Sequence, residues 1–290
     1  MRRFILLLLA VLFLAGCSNP IIQKVNTKNK PASPAVSGTQ TENLKVHFLD
    51  VGQGDSILVQ FPDGKNMLVD AGANESAPTI INYLNSNGIK RLDYLVGTHP
   101  HEDHIGSLDA VINHFEIGEV LMPKATTNTK TFRDVLAAIK NKRLRATTAK
   151  AGVSVISDGN LSVDILGPCG DTYESLNNYS AVIKIKYGDV AFLLTGDAEA
   201  LSEQEILAAG ADVRAQVLKV GHHGSESSTS AEFLKAVNSE YAVISVGAGN
   251  DYHHPHQVIL NKLRKAVIKV LRTDQIGTIV FSTDGRNIYR

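Results

Sequence analysis

Directly after an apolar run at residues 92–97, the chain reads Thr98-His99-Pro100-His101-Glu102-Asp103-His104-Ile105-Gly106. Four potential nitrogen and oxygen ligands, His99, His101, Asp103 and His104, fall within six residues. Imidazole is the commonest protein metal ligand, and three so close together would repel one another on protonation. In an extended loop, positions 99, 101 and 103 point one way while Asp103 and His104 diverge. The segment is therefore expected to offer two ligands to each of two ions. The apolar run before it reads as a strand, so the chemistry is expected just past a strand end of a layered fold.

Composition narrows the class. Ten His stand against 3 Met and no Trp in 290 residues, and 29 Lys+Arg balance 29 Asp+Glu. That balance argues against a protein that coats a polyanion, which needs a basic excess. Hydrophobic residues at 43% and charged residues at 20% fit a folded globular chain and exclude wholesale disorder. Two cysteines exclude a disulfide-dense scaffold and a multi-cysteine zinc module.

The start of the chain is an address. Arg2 and Arg3 precede an apolar run at 4–14, too short for a membrane span but right for a signal-peptide core. Leu14-Ala15-Gly16-Cys17 resembles a bacterial lipobox, which implies cleavage before Cys17 and a diacylglyceryl group on its sulfur. Cys169 is then the one remaining thiol, and no intrachain disulfide can form. Loss of Arg2 and Arg3 leaves 27 basic against 29 acidic residues, a net charge of −2. From 18 to about 42 the chain is polar and punctuated by Pro20, Pro31 and Pro34, which reads as a flexible tether. The expected organisation is a signal peptide at 1–16, lipidated Cys17 with linker at 17–43, and one folded domain at 44–290.

From Leu44 onward strands and helices alternate. Strands are expected at 44–50, 56–61, 66–70, 92–97, 153–156, 161–166, 181–187, 190–195, 216–220, 242–246, 268–271 and 278–282. Helices are expected at 78–84, 105–115, 131–140, 201–208, 231–237 and 257–265. This is an α/β pattern of two sheets with outer helices. The loop Gly52-Gln53-Gly54-Asp55 lacks the Gly-Lys-Ser/Thr that a nucleotide P-loop needs.

His99, His101, Asp103 and His104 match, position by position, the His-x-His-x-Asp-His signature of the metallo-β-lactamase superfamily, which the chain resembles. Leu68-Val69-Asp70-Ala71-Gly72 matches that family's strand ending in Asp-x-Gly, where the carboxylate orients the metal loop instead of binding metal. Asp197, in Gly196-Asp197 after a strand, matches its metal-bridging carboxylate. The histidine usual before that Asp is replaced by Asn177-Asn178-Tyr179-Ser180, which disfavours β-lactam hydrolysis. Other histidines arrive in Gly221-His222-His223-Gly224-Ser225 and His253-His254-Pro255-His256. These departures, with Val46-His47-Phe48-Leu49-Asp50-Val51-Gly52-Gln53-Gly54-Asp55-Ser56 and Arg272-Thr273-Asp274, resemble the metallo-β-lactamase-like domain of ComEC-type DNA-uptake proteins. The membrane-channel portion of those proteins has no counterpart in this sequence, so a translocating role is not implied.

The resemblance implies a four-layer αββα metallo-β-lactamase-like sandwich with two divalent ions, Zn or Mn. His99, His101 and one of His222 or His223 would hold the first ion. Asp103, His104 and a histidine of the 253–256 cluster, with His254 favoured, would hold the second, and Asp197 would be shared. Asp103, Asn178 and His223 are the candidate catalytic groups, and Asp70 and Asp55 the candidate supports behind the ligands; Asp55 equally suits a cap on a backbone amide. Asn178 and Ser180 would orient water or substrate, and the 225–229 run would bind a phosphate oxygen. Substrate specificity is expected in loops 122–130 and 167–178.

Three functions follow from these expectations. The leading one is a lipid-anchored, extracytoplasmic phosphodiesterase or nuclease related to competence proteins, acting on single-stranded DNA or a cell-surface polymer. The second is a phosphodiesterase resembling surface phosphorylcholine esterases, which a neutral-to-acidic charge suits better than DNA. The third is a non-catalytic surface protein with a structural metal, disfavoured because such sites are usually closed and thiolate-rich.

Overall fold

The computed structural model describes residues 43–290; the expected signal peptide, Cys17 and the expected tether, up to residue 42, lie outside the described residues. The first strands in chain order are β1 (Leu44–Phe48), β2 (Ile57–Gln60), β3 (Asn66–Val69), β4 (Arg91–Val96), β5 (Glu116–Met122), β6 (Ala146–Thr148) and β7 (Val153–Asp158). They continue with β8 (Leu161–Gly167), β9 (Val182–Tyr187), β10 (Val190–Leu194), β11 (Val217–Lys219), β12 (Tyr241–Ile244), β13 (Lys269–Arg272), β14 (Ile279–Thr283) and β15 (Ile288–Tyr289). The helices are α1 (Ala77–Ser86), α2 (Glu102–Ile105), α3 (Leu108–His114), α4 (Lys130–Asn141), α5 (Ala200–Ala208), α6 (Ala231–Val237), α7 (Gln257–Lys265) and α8 (Thr273–Ile276).

One sheet runs β15-β14-β1-β2-β3-β4-β5-β6 and the other β13-β12-β11-β10-β9-β8-β7. Both have two buried faces, and the strands show it. In β10, Val190, Phe192 and Leu194 enter the core between the sheets, while Ala191 and Leu193 pack under the outer helices. Side-chain alternation thus turns a continuous apolar run into two cores. The inter-sheet core centres on Phe281, set edge-to-face against Phe48 at 6.3 Å and Phe192 at 6.2 Å. Such pairs add roughly 0.5–1.5 kcal/mol each beyond burial. Helices α1 to α4 cover the first sheet and α5 to α7 the second, giving the expected four αββα layers.

Three departures from the sequence expectation have physical causes. β5 was not anticipated: Glu116, Gly118 and Glu119 dilute its apolar pattern, and only Val120 and Leu121 are fully buried. Gly118 is required there, because a Cβ would lie 2.5 Å from the Asp93 carbonyl. The helix expected at 105–115 is two helices, parted at Gly106, where a Cβ would lie 2.4 Å from the carbonyl carbon of Ala73. The short edge strands β6 and β15 and the single turn α8 carry too few residues for a periodic signal.

The C-terminal ends of the parallel strands β3, β4, β10, β11 and β12 open to one edge of the sandwich. The loops that follow them carry the polar clusters.

Candidate metal centre

The loop after β4 is built by one carboxylate. Asp70 follows β3 with φ 60°, a left-handed conformation that Asp tolerates. Its buried side chain accepts Thr98 N–H at 2.7 Å, the Thr98 hydroxyl at 2.7 Å and His104 Nδ1–H at 2.8 Å. The last bond fixes the His104 tautomer and leaves Nε2 free, 3.2 Å from Asp197 Oδ1. The segment is not extended as anticipated: α2 begins at Glu102, and this helical turn brings Asp103 Oδ2 within 3.8 Å of His104 Nε2 instead of parting them.

The loop after β11 uses backbone conformation. His222 (φ 48°, ψ 49°) and His223 (φ 54°, ψ 21°) are consecutive left-handed residues, each costing on the order of 1–2 kcal/mol. The pair turns both rings inward. His222 Nε2 lies 3.7 Å from Asp197 Oδ2, and His223 Nε2 lies 3.1 Å from Asp103 Oδ2 and 3.6 Å from Asp197 Oδ1. His223 Nδ1–H donates to the Ser245 carbonyl at 2.9 Å, which fixes its tautomer too.

Two ligand groups result, one on each oxygen of Asp197. His99 Nε2 and His101 Nδ1 are 2.9 Å apart, and His99 Nε2 is 3.8 Å from Asp197 Oδ2, the oxygen that His222 also faces. Asp103, His104 and His223 converge with Asp197 in the other group. His104 Nε2 and Asp197 Oδ1 are buried with no hydrogen-bond partner. Orphaned acceptors converging on one point, with no thiolate among them, fit divalent cations such as zinc or manganese.

His223 thus fills the position in the second group that the sequence reading assigned to His254. His254 stands on the cavity wall, its ring 5.4 Å from His222 and its backbone clamped by Asn250, which donates to its carbonyl at 2.7 Å. Asn178 is likewise displaced from its expected role. Its amide donates to Glu199 at 3.1 Å and its carbonyl oxygen accepts from the backbone of Glu199 and Ser202, so it braces the loop behind the cluster. Ser180 is closer: its hydroxyl accepts Asp197 N–H at 3.0 Å and lies 3.3 Å from His99 Nδ1. The 225–229 run does not open toward a phosphate. Glu203 gathers its end by accepting Thr229 and Ser230 N–H, and the Ser227 hydroxyl contacts His222 Nδ1 at 3.1 Å.

Sequence reading missed Lys219. It is fully buried, with Nζ 2.6 Å from Asp55 Oδ2 and 3.2 Å from the Gly196 carbonyl. Asp55 in turn lies 3.7 Å from His223 Nδ1 and 3.9 Å from His104 Nδ1. The loop carrying Asp55 packs against the ligands because residue 54 is glycine: a Cβ there would lie 2.3 Å from the Asp103 carbonyl. The only available signal was a lysine inside an apolar strand, Val217–Lys219, where a charge needs a partner.

Proton affinities set His99 and His222 apart from His104 and His223. Burial and the adjacent His104 hold His99 well below the ordinary histidine value, and burial lowers His222. Burial also opposes charge on His104, yet Asp197, Asp103 and Asp70 raise it well above that value. His223 is raised against its burial by Asp197 and Asp103. Asp103 and Asp197 resist the upward push of burial and are held down, chiefly by His104.

The outer cavity, of about 600 Å³, is lined at its floor by Asp103, Asp197 and His223. Glu75, Glu102, Asp251 and Tyr252 stand around it, and among the described residues no Lys or Arg lines it.

Two sheets under helices, with histidine and aspartate loops meeting at their open edge, define a metal-dependent hydrolase fold. The model of the family described as "Metallo-beta-lactamase superfamily" matches residues 49–248, and the chain belongs to that superfamily. More narrowly, it is 35% identical to ComE operon protein 3 of Bacillus subtilis over 83% of this chain and 33% of that protein. It is 34% identical to Competence protein ComA of Neisseria gonorrhoeae over 80% of this chain and 31% of that one. The chain thus spans about a third of the length of these curated relatives. Solved structures confirm the fold. The metallo-beta-lactamase fold protein YhfI of Bacillus subtilis superposes with TM-score 0.54 at 13% identity, covering 83% of this chain and 99% of that one. The metallo hydrolase Igni18 of Ignicoccus hospitalis gives 0.53 at 17%, covering 82% and 98%. Residues 1–18 match a prokaryotic membrane lipoprotein lipid attachment site, which supports anchoring through Cys17.

Proposed function

We propose that the protein is a lipid-anchored, extracytoplasmic metal-dependent phosphodiesterase with a dinuclear centre. One observation carries this reading: the two oxygens of buried Asp197 face two separate ligand groups, His99, His101 and His222 on one side and Asp103, His104 and His223 on the other. Two divalent ions held there would supply Lewis acidity to a phosphoryl group and acidify a water at neutral pH. The chain's own residues do the rest. Asp70 and the Ser245 carbonyl keep His104 and His223 in the tautomers that aim Nε2 at the centre. Ser180 holds the Asp197 backbone, and His254 and Tyr252 form the wall against which the leaving group would rest. Relatedness to competence proteins supports DNA as one substrate class.

A second substrate reading has its own support. With no Lys or Arg among the described residues around the cavity, and Glu75, Glu102, Asp251 and Tyr252 present, a phosphodiester bearing a cationic group, such as phosphorylcholine, fits better than a polyanion. The test is metal analysis of the purified protein together with hydrolysis of single-stranded DNA, a bis-aryl phosphodiester and a choline phosphodiester. About two equivalents of metal and turnover of the aryl ester are expected. Absence of both metal and phosphodiester turnover would sink the reading, and the ratio of the other two substrates decides between its branches.

A further inference from the structure

The strand register fixes where the tether joins. β1 is antiparallel to β2, β2 antiparallel to β3, and β3 and β4 are parallel. The start of β1 therefore lies at the same edge as the starts of β4 and β5, and the ligand loops lie at the other. Six residues of β4 separate the two edges by roughly 20 Å.

One corner of that lower edge, around the starts of β4 and β5 and the end of α4, carries a concentration of positive charge in a nearly neutral chain. Lys90, Arg91, Lys140, Lys142 and Arg143 are all exposed there, against the carboxylates of Asp93 and Glu116, while Asp63, paired with Lys65, and Asp284 lie further along the edge. Arg91 pairs with both of those, at 2.9 Å and 3.8 Å. Among the described residues, Lys90, Lys140, Lys142 and Arg143 form no ion pair. Lys142 donates only to the Asn113 carbonyl, at 3.2 Å. A cavity of about 590 Å³ lies between them, rimmed by Lys90, Arg91, His114 and Lys142 over Phe115 and Leu144. The outer cavity at the other edge differs, with carboxylates and, among the described residues, no Lys or Arg.

We propose that this basic edge docks on the anionic phospholipid surface to which the chain is anchored. The inference rests on lipid attachment at Cys17. Only 25 residues, 18–42, separate that cysteine from the described chain. A tether of that length holds the domain at high effective concentration over the bilayer, so a patch too weak to bind from solution binds when tethered. Unpaired lysines and arginines with an arginine-bridged rim suit phosphate headgroups. Docking there carries the metal-ligand cluster to the far side of the domain, away from the bilayer and toward solvent.

The full lipidated chain, reconstituted in vesicles, tests this by lysine acylation read out by mass spectrometry. On vesicles rich in phosphatidylglycerol at low salt, Lys90, Lys140 and Lys142 are expected to react at least about fivefold more slowly than on pure phosphatidylcholine, with high salt erasing the difference. Lys124 and Lys150, exposed beyond the opposite ends of β5 and β6, should react equally on both. The double variant Lys142→Glu/Arg143→Glu should lose the protection while keeping its metal content. Equal rates for Lys90 and Lys142 on the two vesicle types, or equal protection of Lys124 and Lys150, would overturn docking. A chain that fails to sediment with either vesicle would instead overturn the anchoring beneath it. Hydrolase activity plays no part in these readouts.

Discussion

The two halves of the ligand cluster look alike on paper and differ in charge. Each is a set of imidazoles around one oxygen of Asp197, yet the proton affinity of His99 and His222 is pushed down while that of His104 and His223 is pushed up. The cause is the company kept. His99 and His222 sit among other imidazoles and burial, whereas His104 and His223 face Asp103, with Asp70 and Asp55 behind them. In the first half, lowered proton affinity at His99 and His222 eases the entry of a cation. The second balances its carboxylates with protons until a cation replaces them.

The largest effect should come from removing what both halves share. Asp197→Ala is expected to strip both ions and lower kcat/KM by ~10³-fold or more, measured beside metal content. Retention of one full equivalent would mean the halves are independent of their common carboxylate. Next comes the buried cation beneath the second half. Lys219→Met leaves Asp55 unpaired in the interior and should cost about 3 kcal/mol in denaturant unfolding of the metal-free protein. A cost under about 1 kcal/mol would show that Asp55 is carried by His104 and His223 instead.

Acidity should separate the halves directly. A metal takes the deprotonated imidazole, so raised proton affinity at His104 and His223 means that the second ion's apparent affinity rises with pH above the ordinary histidine range. Lowering the pH from about 8 to about 6 should therefore release one equivalent well before the other. In the metal-free protein the sign reverses. The stability from His104 and His223 is full below about 6.5 and is lost as pH climbs through their raised values. Simultaneous loss of both ions on acidification would refute the asymmetry.

Asp70→Asn should weaken metal at the His104 position by about 10–100-fold, with the first half little changed, by metal titration against a chelator. His254→Ala marks the small end. If His223 and not His254 completes the second group, metal content stays at two, and kcat/KM falls by less than about tenfold.

Most of the architecture was legible because period-2 apolar runs and glycine-marked turns speak locally. β9, β10, α6 and α7 fall where their patterns place them. The cluster of four candidate ligands from His99 to His104 was legible because one short segment holds them, and Asp70 because it ends a strand in the pattern Asp-Ala-Gly. The choice among His222, His223 and His254 was not, since it depends on two consecutive positive φ angles that no side-chain pattern announces. Asn178 misled for a related reason: its neighbour in space is Glu199, 21 residues on. Lys219 went unseen because its partner, Asp55, lies in the other sheet's loop.

That division between sheets has a consequence for how the protein acquires its metal. His99, His101, Asp103 and His104 follow β4 of the eight-stranded sheet, while Asp197, His222 and His223 follow β10 and β11 of the seven-stranded one. Neither sheet alone presents either of the two groups around Asp197, so ions bound there would act as a clasp that closes only once the sandwich has formed. Metal uptake would then be a late event and a direct reporter of sheet docking. Because the nitrogen and oxygen donors do not discriminate sharply between zinc and manganese, the ion bound would follow the supply in whichever compartment the chain completes its folding.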